Sequence, residues 1–353
     1  MSISNIEEKL ELAKNRLLEL DREESLIEES TSSESTTPES TTTENTMTEE
    51  SGKIVVFSDV SLERYRKFRG EGELKRSNIY VRLVKGEIIA YEMPSSAHGY
   101  TATELAFVLK TWSNGQLNVI CEQNITTGNN TEYCADFVAE PEQIPPPGPG
   151  YEAQPTIIIE VAKTETLTSL NDCASDYFSA SARYTQTNST GVYLGIKMFS
   201  RRQNSTVAML AILYLRNNQV PNPAANVQNP PPNTPPMIVM ANTIPNLAIS
   251  FGTAPINYQR TAFVNNTGIQ NDRLTGYVQS NDIPCTRAGM QDYQLTIPAN
   301  LIFPGGVPVG VPNNLVIDLW WLQNKIFDNI KSSRYSPYSP KTAFPNRILN
   351  KFF

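Results

Sequence analysis

Residues 155–163, Pro-Thr-Ile-Ile-Ile-Glu-Val-Ala-Lys, constrain the fold more than any other stretch of the chain. Three consecutive isoleucines followed by a carboxylate read as a strand buried on both faces, the kind found in the middle of a parallel or mixed sheet. Glu160 at the end of such a strand makes a demand on everything around it. Burying a carboxylate without a partner costs several kcal/mol, so Glu160 has to meet a cation, a metal ion or a cleft open to water.

The chain on either side supplies the rest of a mixed α/β domain. Lys53-Ile-Val-Val-Phe begins ordered sequence, and Ser61–Arg69 reads as a short basic helix with Ser61 as N-cap and Glu63 as the first-turn acid. Asn78–Val84 and Glu87–Met93 read as two strands of a hairpin turning at Lys85-Gly86. After the break at Pro94-Ser95-Ser96, residues 98–112 have helical spacing, with Leu105, Val108, Leu109 and Trp112 on one face. Asn118–Cys121 and Ala135–Ala139 read as strands around a turn at Gly128–Asn130, and Pro145–Gly150 has to be loop. A helix is expected over residues 166–184, then strands over 191–199 and 207–215. Shorter strands are expected at Leu247–Phe251, Gly276–Gln279 and Tyr293–Ile297, and Asn314–Lys331 reads as an amphipathic helix.

Several segments stand outside this body. Ile3, Ile6, Leu10, Ala13, Leu17, Leu20 and Ile27 follow steps of three and four broken once, at Glu24, which is a heptad seam. It fits either a coiled coil that makes a homodimer through residues 3–29 or an amphipathic helix docked on its own domain. Residues 30–51 are almost entirely Ser, Thr and Glu, a composition with too little apolar surface to offset the entropy of ordering, and a disordered acidic linker is expected there. Residues 217–236, dense in Pro and Asn, read as a flexible insertion, and residues 332–353 as a loose tail. The body that remains is residues 52–331.

Charge follows the same division. Residues 1–50 hold 14 acidic residues against Lys9, Lys14, Arg16 and Arg22, a balance of −10. The remainder, with 25 basic and 22 acidic residues, is near +3 and neither demands nor excludes a polyanionic partner. The N-terminus has no signal-like apolar run and no stretch reaches the roughly 18 apolar residues that span a bilayer, so an intracellular location, cytoplasmic or nuclear, and no membrane partner are expected. Cys121, Cys134, Cys173 and Cys285 lack C-x-x-C spacing and read as reduced thiols.

What is missing narrows the chemistry. His98 is the one histidine, there is no G-x-S-x-G elbow, and no phosphate-loop, dinucleotide or H-E-x-x-H motif occurs. Serine hydrolases, P-loop ATPases, kinases, Rossmann dehydrogenases and zinc proteases are disfavoured. Oxygen ligands remain. Asp136 and Glu160 lie on two expected strands joined by the proline-rich excursion, an arrangement in which two carboxylates can converge on a sheet. Paired hard oxygens suit Mg2+ or Mn2+, and a structural ion pair or a solvated strand-end acid is the alternative.

Residues 79–199 resemble the restriction endonuclease family that carries the PD-(D/E)XK nuclease core. The likeness rests on Lys85-Gly-Glu-Ile-Ile-Ala-Tyr-Glu-Met-Pro94, on His98 at a helix start, on Ala135-Asp136 where the family has Pro-Asp, and on Pro155-Thr-Ile-Ile-Ile-Glu160-Val. Asp176-Tyr-Phe and Gly191-Val-Tyr-Leu are similar to its next helix and strand. The resemblance implies a restriction-endonuclease-like mixed sheet flanked by helices, Mg2+ or Mn2+ at Asp136 and Glu160, and hydrolysis of DNA phosphodiesters. Glu87 or Glu104 would be a third, upstream metal contact. The family's lysine, two residues past the glutamate, is replaced here by Ala162. Lys163 is the expected catalytic cation if the strand ends or bulges there, with Arg183 and Lys197 as substitutes. The displaced lysine also fits a catalytically inactive relative that acts as an interaction or nucleic-acid-binding module.

Overall fold

The computed structural model describes residues 8–19, 54–70, 79–93, 95–143, 148–178, 180–181, 186–202, 204–216, 237–238, 245–257 and 273–333. The expected linker at 30–51, the insertion at 217–236, Arg183 and residues 334–353 of the expected tail lie outside them, as do Ile3, Ile6, Leu20 and Ile27 of the heptad seam.

Turn chemistry sets the first half of the sheet. β1 (Ile54–Phe57) is followed by helix α2 (Leu62–Gly70), itself preceded by the N-terminal helix α1, residues 8–19. β2 (Tyr80–Val84) and β3 (Glu87–Glu92) then pair around Lys85 and Gly86, whose φ angles of 50° and 86° give the two-residue turn that matches hairpin twist. After helix α3 (Ser96–Trp112), a second tight turn at Asn129-Asn130 joins the long strands β4 (Leu117–Gly128) and β5 (Thr131–Pro141).

The opening stretch is β6 (Ile157–Ala162), buried at all six positions. Helix α4 (Leu167–Tyr177) carries the chain over the sheet past β7 (Ala180–Ser181) to β8 (Val192–Met198), which runs parallel to β6 and is equally buried. β9 (Ala208–Leu215), β10 (Met237–Ile238), β11 (Leu247–Gly252) and β12 (Leu274–Gly276) follow. The main sheet runs β1-β3-β2-β5-β6-β8-β9-β11-β12 with β4 on β5; β6/β8 and β11/β12 are parallel and the other pairs antiparallel. The chain closes with β13 (Gln294–Pro298), α5 (Ala299–Ile302), β14 (Asn314–Asp318) and α6 (Leu319–Ser333).

Two helical stretches differ from the sequence expectation. The helix expected over 166–184 ends at Tyr177: Phe178 is fully buried, its N–H bonds to Ala174 O, and Ala180–Ser181 pairs with β10. The helix expected over 314–331 starts five residues late. Leu315 and Ile317 are buried while Val316 is exposed, a period of two that pairs β14 with β13, and the Asp318 carboxylate accepts Trp320 N–H (2.9 Å) where the helix begins.

Helices cover both faces. α3, α6 and the β13–β14 hairpin close one core around Phe137, Ile157, Ile159, Leu194 and Met209; α4 closes the other around Val138, Ile158, Ala162, Tyr193 and Leu210. A third cluster joins α1 to the β1-β3-β2 end of the sheet. Leu10, Ala13 and Leu17 are 2–3% exposed there against Val56, Phe57, Val60, Tyr65 and Ile88, and Lys9 Nζ donates to Val56 O (3.3 Å). Within its described turns the seam is thus covered by the chain's own domain, the docked-helix alternative. Leu17→Ala is expected to destabilise the protein by about 2–5 kcal/mol, as truncation of a buried leucine does. Urea unfolding of the variant measures it, and sedimentation at the same concentrations reports whether residues 3–29 also hold a dimer.

Candidate active site

The antiparallel ladder of β5 and β6 pairs Ala139 with Ile157, Val138 with Ile158 and Phe137 with Ile159. One step further Asp136 faces Glu160, and there side chains replace the backbone bonds. Asp136 N–H donates to Glu160 Oε2 (3.2 Å), and Val161 N–H donates to Asp136 Oδ2 (2.6 Å). The two sequence-identified carboxylates therefore meet where the two central strands separate, each answering a backbone donor beside the other.

Each carboxylate is also held by a helix. Ser95 caps α3 by accepting His98 N–H (3.1 Å), which fixes His98 in the first turn, and its Nε2 lies 2.8 Å from Asp136 Oδ1. Burial alone would push the imidazole pKa down. The Asp136 carboxylate, helped by Glu92 and Glu165, overcomes this and pushes it up to about 9. On the other side, Tyr177 in the last turn of α4 donates its hydroxyl to Glu160 Oε1 (2.6 Å). Burial, then the neighbouring Asp136 charge, holds the Glu160 carboxyl well above the usual range, against the pull of these two donors.

Beyond Glu160 the strand ends at Ala162, so alternation no longer governs Lys163. Its turn is clamped from both sides. The fully buried Glu92 carboxylate accepts the backbone N–H groups of Lys163 (2.6 Å), Thr164 (3.0 Å) and Glu165 (3.1 Å), while the fully buried Lys197 ammonium donates to Lys163 O (2.9 Å) and Glu165 O (2.7 Å). The Lys163 side chain is half-buried and makes no hydrogen bond or ion pair among the described residues. Next to the clamp, Arg82 pairs with Glu165 (2.6 Å), with Tyr91 under its guanidinium at 4.4 Å.

Glu87 is not brought to this place. It opens β3 at the turn end, whereas Glu92 closes the strand against the 163–165 turn, five residues and roughly 16 Å further along. Glu104 sits within α3 and faces Lys325 of α6 at 4.0 Å. Lys197 is engaged with the turn, and Arg183 lies outside the described residues. Glu92, His98 and Tyr177 are the site residues that sequence reasoning did not assign a role. For Glu92 the signal existed: like Glu160 it closes an apolar run, Ile88-Ile-Ala-Tyr91.

Asp136 and Glu160 set two hard carboxylates side by side, the donor type that a small divalent cation takes. Among the described residues no group of three or more His, Cys, Asp or Glu side chains is arranged to hold a metal ion. The pair fits a cation that takes one or two carboxylates and keeps much of its water, as Mg2+ does. No helix among the described residues is long and apolar enough to cross a membrane.

A mixed sheet flanked by helices, with acids on adjacent central strands, is a restriction-endonuclease-like fold. Residues 62–185 match the family described as "Uma2: Putative restriction endonuclease". The structure is also similar to the crystal structure of "a putative nuclease belonging to DUF820 from Anabaena variabilis ATCC 29413". That likeness has 14% identity and a TM-score of 0.32, and covers 44% of this chain and 79% of that one. No curated protein sequence matches the chain.

The raised groups give a signed pH dependence. His98, with its pKa raised, contributes stability that is complete below the ordinary histidine pKa of about 6.5 and lost as pH rises through about 9. Glu160 acts in the same sense, because a carboxyl whose pKa is raised in the fold contributes stability that is lost as pH climbs above the ordinary carboxylate range. The metal-free protein should therefore melt lower at pH 9.5 than at pH 6.5, and His98→Gln should flatten the difference. Thermal melts of both in chelator check it; equal slopes for wild type and variant would show that the His98 charge is not coupled to folding.

Proposed function

We propose that the chain is a metal-dependent endonuclease that hydrolyses DNA phosphodiester bonds. The observation that carries this reading is the meeting of Asp136 and Glu160 at the open end of the β5–β6 ladder, inside the segment that matches the endonuclease family. Asp136 and Glu160 hold Mg2+ or Mn2+. Such an ion, when bound, lowers the pKa of water and offsets charge on phosphoryl oxygens.

The protein's own groups do the rest. His98 and the Val161 N–H fix the two oxygens of Asp136, and Tyr177 and the Asp136 N–H fix those of Glu160, so neither carboxylate has to reorganise when the cation arrives. Lys163, on a turn held by Glu92 and Lys197, presents an unpaired ammonium that neutralises a non-bridging phosphate oxygen during in-line attack. Water supplies the attacking oxygen and its proton ends on the released sugar oxygen as the P–O bond breaks.

One observation favours a second reading. All four oxygens of the pair already have a protein partner, so the site is complete as an ion-free structure, which suits a catalytically inactive nuclease-fold protein working as an interaction or nucleic-acid-binding module. Cleavage of plasmid and single-stranded DNA by the full chain with Mg2+ or Mn2+ separates the two. On the first reading Asp136→Ala and Glu160→Ala abolish cleavage, and Lys163→Ala reduces it by roughly 100-fold, at the low end for a charge-stabilising group. Cleavage that survives both carboxylate substitutions would mean the active site lies elsewhere. No cleavage, with no Mn2+ binding by calorimetry, would leave the second reading.

A further inference from the structure

We propose that Tyr177 is a positioning residue that sets which cation the Asp136–Glu160 pair accepts, holding Glu160 for a small, octahedral ion and against a large one. The inference rests on the endonuclease reading above and adds to it the part of the fold that determines ion choice.

The Glu160 carboxylate is held at both ends. Its Oε1 accepts the Tyr177 hydroxyl at 2.6 Å and its Oε2 accepts the Asp136 N–H at 3.2 Å. A carboxylate bonded at one oxygen can still swing about its last torsion; one bonded at both by fixed donors cannot without losing one of them.

Whether Tyr177 is fixed depends on its ring, and the ring has no room. It is fully buried, tilted between Tyr133 at 5.2 Å and Tyr193 at 5.7 Å between centroids. Tyr193 is tied in turn through its hydroxyl to Leu170 O (2.8 Å), so the neighbouring ring cannot slide along α4. The helix itself is drawn close to the sheet by a missing side chain. Gly195 of β8 pairs with Glu160 of β6, and a Cβ at Gly195 would lie 3.2 Å from the Leu170 side chain. The residue beside Glu160 is thus small enough for α4 to pack where Tyr177 reaches the carboxylate.

Rigidity of this sort discriminates between ions. Mg2+ and Mn2+ favour short, near-octahedral oxygen shells, whereas Ca2+ accepts longer bonds and irregular geometry and needs ligands that can move outward. A Glu160 pinned by a buried phenol cannot retreat. Removing the hydroxyl frees Oε1, which costs the small ion its prepared ligand and costs the large ion much less.

The test is isothermal calorimetry of the full chain with Mn2+ and separately with Ca2+, wild type beside Tyr177→Phe, with circular dichroism to confirm the fold. Tyr177→Phe is expected to weaken Mn2+ binding about 10- to 100-fold, the usual effect of removing a partner that orients a metal ligand, and Ca2+ binding by less, so that the ratio of the two affinities falls. A ratio unchanged from wild type would overturn the inference and leave the endonuclease reading standing. Wild-type protein that binds no Mn2+ would overturn both. If Tyr177→Phe does not fold, a fluorinated tyrosine at position 177, which keeps the ring's shape and acidifies the hydroxyl, replaces it: an affinity ratio that does not move with the acidity of the phenol would overturn the inference.

Discussion

Two carboxylates buried together at the end of a strand pair repel each other, and the arrangement of the domain around Asp136 and Glu160 follows from containing that repulsion. Among the described residues neither acid is met by a lysine or arginine. The relief comes from dipoles and one imidazole: the Asp136 and Val161 N–H groups, the Tyr177 hydroxyl and His98. Hydrogen bonds to a charged acceptor are stronger than neutral ones, yet here they do not cancel burial, since Glu160 remains well above the usual carboxyl range. The fold thus relieves the repulsion in part by disfavouring the charge on Glu160, and on the endonuclease proposal a bound cation supplies the rest.

The same logic is applied a second time, with the opposite outcome, from the third residue past Glu160. The 163–165 turn leaves N–H and C=O groups pointing out of the sheet with no ladder to join. Glu92 takes the N–H groups and Lys197 the carbonyls, so two buried ions of opposite sign are each neutralised by backbone dipoles and by the turn between them. Arg82 and Glu165 extend this outward as a buried ion pair. Truncating either member of such an arrangement strands a buried charge, which is far more damaging than losing a surface pair. The clamp is thus structural, and its effect on the site is to fix where β6 stops and α4 begins.

Much of this was legible in the chain. An apolar run closed by an acid identified β6 and Glu160, the Ala135–Ala139 run marked the strand of Asp136, and Lys85-Gly86 located one hairpin turn; the second, expected at Gly128–Asn130, is the Asn129-Asn130 turn between strands longer than expected. What escaped has a common physical cause. Glu92 closes an apolar run just as Glu160 does, but its partners lie some 70 residues away and no local pattern names them. Tyr177 looks like any core tyrosine until Gly195, on a different element, lets α4 approach. Leu315 and Ile317 alternate as a strand face does, but the run is too short to separate from the helical stripe that follows it at Leu319 and Leu322, and the pairing with β13 fixes the boundary. Periodicity reports which side of an element is apolar; the identity of what it meets is non-local.

The lysine question looks different once the turn is seen. Alternation argues against Lys163 only while the strand continues, and β6 ends at Ala162. Lys197 keeps its charge but spends its donors on the turn's carbonyls, so its ammonium serves the backbone of Lys163 and not a substrate. The two lysines thereby divide what a single in-register lysine would combine: one anchors the turn from the buried side, the other is left with its side chain half-buried and unpaired at the strand's end. On the proposed endonuclease reading that amine is the cation at the strand's end, and the clamp beneath it, which fixes where β6 stops, is what frees it from the alternation that would turn it away.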